Sequence, residues 1–161
     1  MSWRNLIMNK AIRYLGKTVP VVLKIDDTQK KPLVTYKEDC FEIILSAPKD
    51  ELLEQAVKRY YQQFVKRTVH ELIAKYQPLF KVKPRKITIE TSLTKWGTCN
   101  SNRDLMFNWQ LATVPFEVIE YIVVHEMCHM EHMNHDRSFW RLVGKLAPDY
   151  KACEAWLKGE I

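Results

Sequence analysis

The segment Val118-Ile-Glu-Tyr-Ile-Val-Val124 is apolar nearly all round and runs without a break into His125-Glu126-Met127-Cys128-His129. A helix of that kind belongs in a core. The chain must therefore fold around an element that also carries two imidazoles and a carboxylate. Burying such groups without partners costs several kcal/mol, and a metal ion removes that cost. On a helix, residues four apart stack on one face about 6 Å from each other. His125 and His129 can then both reach one Zn²⁺ at about 2.1 Å. Glu126 stands about 100° round the helix from His125, beside the metal, where it can take a proton from a zinc-activated water.

A catalytic zinc needs a third protein ligand, and three residues are candidates. Four of the five histidines fall between His125 and His135. His132 lies on the face of His125 and His129 if the helix continues, but about 10 Å along the axis from His125. Three histidines in line on a straight helix cannot close on one ion with tetrahedral angles. His135 follows Asn134, a residue that tolerates the left-handed turn ending a helix, and such a turn swings His135 back to the metal. Glu154 offers a two-histidine-plus-glutamate site. His135 is preferred, with His132 and Glu154 as the alternatives.

The remaining elements place this helix in an α+β chain. Residues Val19–Ile25, Leu33–Tyr36 and Cys40–Leu45 read as strands, with Pro20 suited to an edge or a strand start. Ser46-Ala-Pro48-Lys-Asp50-Glu51 reads as the start of a helix with proline in its first turn, continuing to about Tyr76 and ended by Pro78. His70 on that helix takes a surface or capping role. Lys86–Thr91 alternates as a half-buried strand, Cys99–Asp104 is a turn, and Leu105–Trp109 reads as a returning strand at a sheet edge. Thr113-Val-Pro115-Phe-Glu117 begins the histidine-bearing helix, expected over about 115–133. Asp136 caps a further helix with Phe139, Leu142, Val143 and Leu146 inward, and Pro148 opens a last short one.

One domain over 1–161 is the simplest organisation, with a β-rich part (1–45) and a catalytic part (46–161). Hydrophobic residues at 47% and charged residues at 27% are the proportions of a soluble globular protein. The longest apolar run, Tyr121–Val124, excludes a membrane-spanning helix. The opening MSWRNLIMNKAIRYLGK lacks a secretory apolar core, so the cytoplasm is the expected location. Cys40, Cys99, Cys128 and Cys153 lie far apart without a C-x-x-C pair, which favours free thiols and weakens a Cys-type zinc site.

Read outward from the helix, Lys95-Trp-Gly-Thr-Cys99, Phe107-Asn-Trp-Gln-Leu111, Pro115, Tyr121–His129, Asn134-His135, Phe139-Trp140, Pro148-Asp-Tyr150 and Trp156-Leu157 occur in order. Over about residues 40 to 158 this series resembles the YgjP-like metallopeptidase-domain family, zincin-like hydrolases related to SprT-like and WLM proteases. The resemblance implies a minimal zincin-type domain: a small antiparallel or mixed sheet packed against a long helix and an H-E-x-x-H helix. It implies zinc ligands at His125, His129 and His135 and a catalytic base at Glu126. Met127 and Met130 stand where leucine is common in the family. No methionine follows Met133, so the downstream methionine turn of metzincin proteases is missing.

The expected function is zinc-dependent hydrolysis of protein or peptide amide bonds. The rival is a structural zinc site in a nucleic-acid-binding or adaptor module, which needs four protein ligands and leaves Glu126 without a task. A net charge of +6 is modest, and no nucleic-acid-binding motif accompanies the histidines. Lys81–Lys86, with Lys58-Arg59 and Lys66-Arg67, is the one plausible phosphate track. DNA is thus a possible partner, and a freestanding peptidase is the expectation. Trp109, Phe139, Trp140 and Trp156 are read as core packing, and Tyr150, Arg137 and His132 as conceivable oxyanion partners.

Overall fold

The computed structural model describes residues 11–159; the first ten residues, which open the stretch searched for an export signal, lie outside them. In chain order the elements are β1 (Ala11–Tyr14), β2 (Lys17–Ile25), β3 (Leu33–Lys37), β4 (Cys40–Leu45), α1 (Asp50–Tyr76), β5 (Lys86–Glu90), β6 (Gly97–Cys99), β7 (Asp104–Asn108), α2 (Phe116–Cys128), α3 (Arg137–Leu146) and α4 (Tyr150–Gly159), with short 3-10 turns after α1 and β7. The strands form a four-stranded sheet in the order β1-β2-β4-β3 and a three-stranded sheet in the order β5-β7-β6.

β4 alternates as a half-buried strand must: Phe41, Ile43 and Leu45 are fully buried while Glu42 is exposed. α1 answers with Leu53, Val57, Tyr61, Val65, Val69 and Ile73, all buried and four apart along one face. Each such aliphatic side chain contributes about 1.5–3 kcal/mol on full burial. α1 begins at Asp50, so Pro48 precedes the first turn; Lys49 is the N-cap without a side-chain bond, and Asp50 and Glu51 supply the charge favoured at that end. Pro20 lies inside the sheet but at a local edge. β1 pairs with β2 up to Pro20, and β4 pairs with it from Val21 onward.

β1 had no counterpart among the expected strands. It joins β2 through Leu15 and Gly16, both at positive φ (48° and 78°), the requirement of a two-residue hairpin turn. That turn docks on the segment leading into α2: Leu15 N–H donates to Ala112 O at 2.8 Å and Gly16 N–H to Thr113 O at 3.0 Å. A Cβ at Gly16 would stand 2.7 Å from Pro115 Cγ, so only glycine fits.

The small sheet departs from expectation in one respect that bears on the site. The sequence pattern makes Leu105–Trp109 a returning strand at an edge. β7 instead runs parallel to β5, with Ile87 opposite Leu105, and occupies the centre of its sheet. Its antiparallel partner is the three-residue β6, which forms the edge nearest α2. Trp109 leaves the strand and opens a 3-10 turn. No helix among the described residues is long and apolar enough to cross a membrane.

Candidate metal centre

α2 is buried on nearly every side, through Val118, Ile119, Ile122, Val123, Val124, Met127 and Cys128. It ends at Cys128, not near residue 133, with His129 as its C-cap. Met130 N–H bonds to Met127 O at 3.0 Å and Glu131 N–H to Cys128 O at 3.1 Å, the three-residue steps that tighten a helix end. Asn134 plays no left-handed part. Among described non-glycine residues, positive φ occurs only at Leu15, Glu38, Asp39 and Arg103. The chain crosses instead to α3, whose N-cap Asp136 accepts a bond from Phe139 N–H at 2.9 Å. His135 immediately precedes that cap.

These two helix ends bring three rings to one point. His135 Nε2 lies 3.0 Å from His129 Nε2 and 3.2 Å from His125 Nε2. Nitrogens about 2.1 Å from a tetrahedral zinc stand about 3.4 Å apart, so this is the spacing of a ligand set. Among the described residues it is the one cluster of three potential ligand side chains. His129 Nδ1–H donates to the His132 carbonyl at 3.0 Å, which leaves the Nε2 lone pair facing the other two rings. Burial, then the neighbouring His129 and His135, push the pKa of His125 down to about 4. Burial lowers that of His129 as well. Neutral imidazoles are the form that binds metal, and the C-terminal end of α2 adds partial negative charge beside them. The donor set fits a zinc-type divalent ion.

Phe139 and Trp140 serve the cluster more directly than general core packing. The Phe139 ring stacks on His129 at 4.4 Å and contacts both His125 and His135 at 4.9 Å. Trp140 stacks on His135 at 5.8 Å and on Tyr150 at 5.3 Å. Trp109 packs remotely, against Tyr61 of α1.

Glu126 lines the same cleft as the three histidines, a space of about 340 Å³ bounded also by Lys95, Gly97, Thr98, Cys99 and Met133. It is 7% exposed. Burial raises its pKa to about 7, against an opposing pull from the Lys95 ammonium. Gly97 on β6 is what lets the sheet approach: a Cβ there would lie 2.9 Å from Glu126 Cγ and 3.3 Å from Phe107 Cδ1. The sequence pattern by itself gives Gly97 and Lys95 no separate role. A glycine within a short strand is the available signal, since it marks a close approach.

The alternative ligands are elsewhere. His132 lines a separate cleft with Ser138, Arg141, Leu142 and Lys145. Glu154 meets the Tyr121 hydroxyl. Arg137 and Tyr150, with His132, stand outside the residues lining the Glu126 cleft, which leaves Lys95 as its cation. His70 is exposed, its Nδ1 bonded to Lys66 O at 2.7 Å.

Residues 2–160 match the family described as YgjP-like, metallopeptidase domain. The chain belongs to that family. Its fold is similar to the crystal structure of the metallopeptidase zymogen of Pyrococcus abyssi abylysin, with a TM-score of 0.50 and 20% identity over 60% of this chain and 94% of that one. No curated protein matches the sequence. As a YgjP-like metallopeptidase domain, the chain is a metal-dependent peptidase with peptides as its substrate class. Its mixed α+β architecture is the one the sequence led us to expect.

The approach at Gly97 yields a direct prediction. Gly97→Ala forces β6 and Glu126 apart by a fraction of an ångström, and misplacement of about 1 Å near reacting groups costs about a hundredfold in rate. We expect peptide turnover to fall by tens of times while metal content stays full, measured by proteolysis beside elemental analysis. Wild-type turnover in this variant would show that β6 takes no part in placing the Glu126 carboxylate.

Proposed function

We propose that this YgjP-like domain, residues 1–161 as one unit, is a zinc peptidase with His125, His129 and His135 as ligands and Glu126 as general base. The observation that carries the reading is the convergence of three Nε2 atoms beside a buried carboxylate in an open cleft. Zinc held there by His125, His129 and His135 would supply Lewis-acid chemistry, acidity for a bound water and polarisation of the scissile carbonyl. Glu126 would be the group that accepts a proton from the attacking water and passes it to the leaving amine. Lys95 lies at the cleft to favour the ionised form of Glu126. Among the described residues β6 is an outer strand of its sheet, beside the cleft, where an extended peptide can add as a further strand.

A structural zinc staple needs a fourth protein ligand. Its two candidate donors are both engaged away from the rings, His132 in its own cleft and Glu154 on Tyr121, which favours the enzyme.

We also propose that activity is independent of DNA; two cations of the basic track, Arg85 and Lys58, are committed within the protein. Arg85 forms a two-pronged ion pair with Asp104, whose Nε arm measures 2.8 Å, and Lys58 lies over the Trp109 ring. One experiment covers both readings: cleavage of a disordered test protein by zinc-loaded and chelated enzyme, with and without duplex DNA. We expect cleavage that is lost on chelation, restored by zinc and indifferent to DNA. Cleavage undiminished by complete metal removal would refute the zinc mechanism. DNA binding that weakens log-linearly from about 50 to 200 mM salt, with DNA-stimulated cleavage, would establish a phosphate track after all.

A further inference from the structure

We propose that Glu154 and Tyr121 form a hydrogen-bonded relay that holds His125 in the tautomer whose Nε2 lone pair faces the metal, making both of them positioning residues of the centre. The inference rests on the three-histidine centre proposed above. Tyr121 precedes His125 by one helical turn on α2, so its phenol rises beside the imidazole on the same face. Tyr121 Oη stands 3.2 Å from His125 Nδ1 and 3.4 Å from Glu154 Oε1, the latter long for an O–H···O bond. Glu154 arrives there because α4 packs against α2.

The phenol has one proton and two neighbours that could receive it. A carboxylate only accepts, and it is a stronger acceptor than a neutral imidazole. The Tyr121 O–H therefore points to Glu154. Its oxygen lone pairs are left for His125, which must donate from Nδ1. An imidazole that donates from Nδ1 carries its lone pair on Nε2, and His125 Nε2 is the atom that faces His135 Nε2 at 3.2 Å. With the polarity reversed, the phenol would donate to Nδ1, the ring proton would sit on Nε2, and His125 could not serve as a ligand. His129 reaches the same state through a simpler partner, the His132 carbonyl. Glu154, a candidate ligand on sequence grounds, thus acts on the metal site one residue further out. Outer partners of this kind fix ring orientation and ligand basicity.

Two measurements test the relay. Competition with a chromophoric chelator gives zinc affinity, and long-range ¹H–¹⁵N correlation of the histidine rings in chelated protein gives the tautomer of His125. We expect the Nδ1–H form in the wild type. Tyr121→Phe keeps the ring in place and removes only the hydroxyl; it should weaken zinc binding by about 10- to 100-fold and release His125 to the Nε2–H form. Glu154→Ala should reproduce both changes. Glu154→Gln, which keeps an acceptor oxygen at the same reach, should recover most of the affinity. Should Tyr121→Phe fail to fold, Glu154→Ala and the wild-type tautomer decide the matter. Wild-type affinity in Tyr121→Phe and Glu154→Ala, or an Nε2–H His125 in the wild type, overturns the relay and leaves the centre standing. A wild-type protein that takes up no zinc overturns both.

Discussion

Glu126→Gln will keep its zinc and lose its turnover. Glutamine preserves the shape against which Gly97 packs, and Glu126 is no member of the histidine cluster, so metal content should be unchanged. What disappears is the group proposed to accept and return a proton, worth about 10²–10⁴ in rate for a positioned acid–base. Elemental analysis beside a proteolysis assay reads both halves of the statement. A variant cleaving at the normal rate would remove Glu126 from the mechanism. In metal-free protein the same substitution acts on stability, with a definite sign. Burial raises the Glu126 pKa from 4.5 to about 7, so the folded protein holds this proton more tightly than the unfolded chain does. The group's favourable contribution is complete below the unfolded pKa and is lost as pH rises through the folded one. Above pH 7 the buried carboxylate then costs up to about 3 kcal/mol. Chelated Glu126→Gln should therefore resist urea better than chelated wild type at pH 8, and the advantage should vanish towards pH 4. An equal gap at both pH values would mean that the carboxylate is not buried as described.

What could be read from the sequence divides by the range of the interactions involved. His125, Glu126 and His129 were legible because helix geometry alone fixes residues one and four apart. The Asp136 cap was legible because it too is a local pattern. His135 depended on how the chain turns after α2, and the turn found differs from the one expected. Met130-Glu131-His132-Met133 contains good helix formers, so nothing local announces a stop at Cys128. The stop is accompanied by the bond from His129 Nδ1–H to His132 O and by the stacking of His129 on Phe139 of α3, neither of which a local pattern contains. Parallel pairing of β5 with β7 is likewise non-local, and β6 has only three residues, too few for alternation to show. β1 escaped because Leu15 occupies a left-handed turn position where asparagine or glycine would have signalled a hairpin. In each of these cases a tertiary contact overrides or supplies what local pattern leaves open.

His129→Ala should empty the metal centre, whereas His132→Ala should leave it full. The two residues belong to the same short histidine-rich stretch, in which sequence alone makes His129 a ligand and leaves His132 as an alternative to His135 for the third position. His129 offers Nε2 to the cluster at 3.0 Å from His135 Nε2, while its Nδ1 and ring are fixed by the His132 carbonyl and by Phe139. His132 supplies only that main-chain carbonyl, which alanine retains, and its side chain lines another cleft. Purified His129→Ala should carry little zinc and show no proteolysis; a full zinc complement would sink the ligand assignment. Thermal unfolding separates lost metal from lost structure. A ligand that binds only the folded state stabilises it by about 2.7 kcal/mol at one hundred times its dissociation constant. Added zinc should therefore raise the melting temperature of chelated wild type and of His132→Ala, and leave that of His129→Ala where it was. A zinc-dependent rise in His129→Ala equal to that of wild type would mean that zinc stabilises the fold from somewhere other than this cluster, and the base at Glu126 would then have no metal to serve.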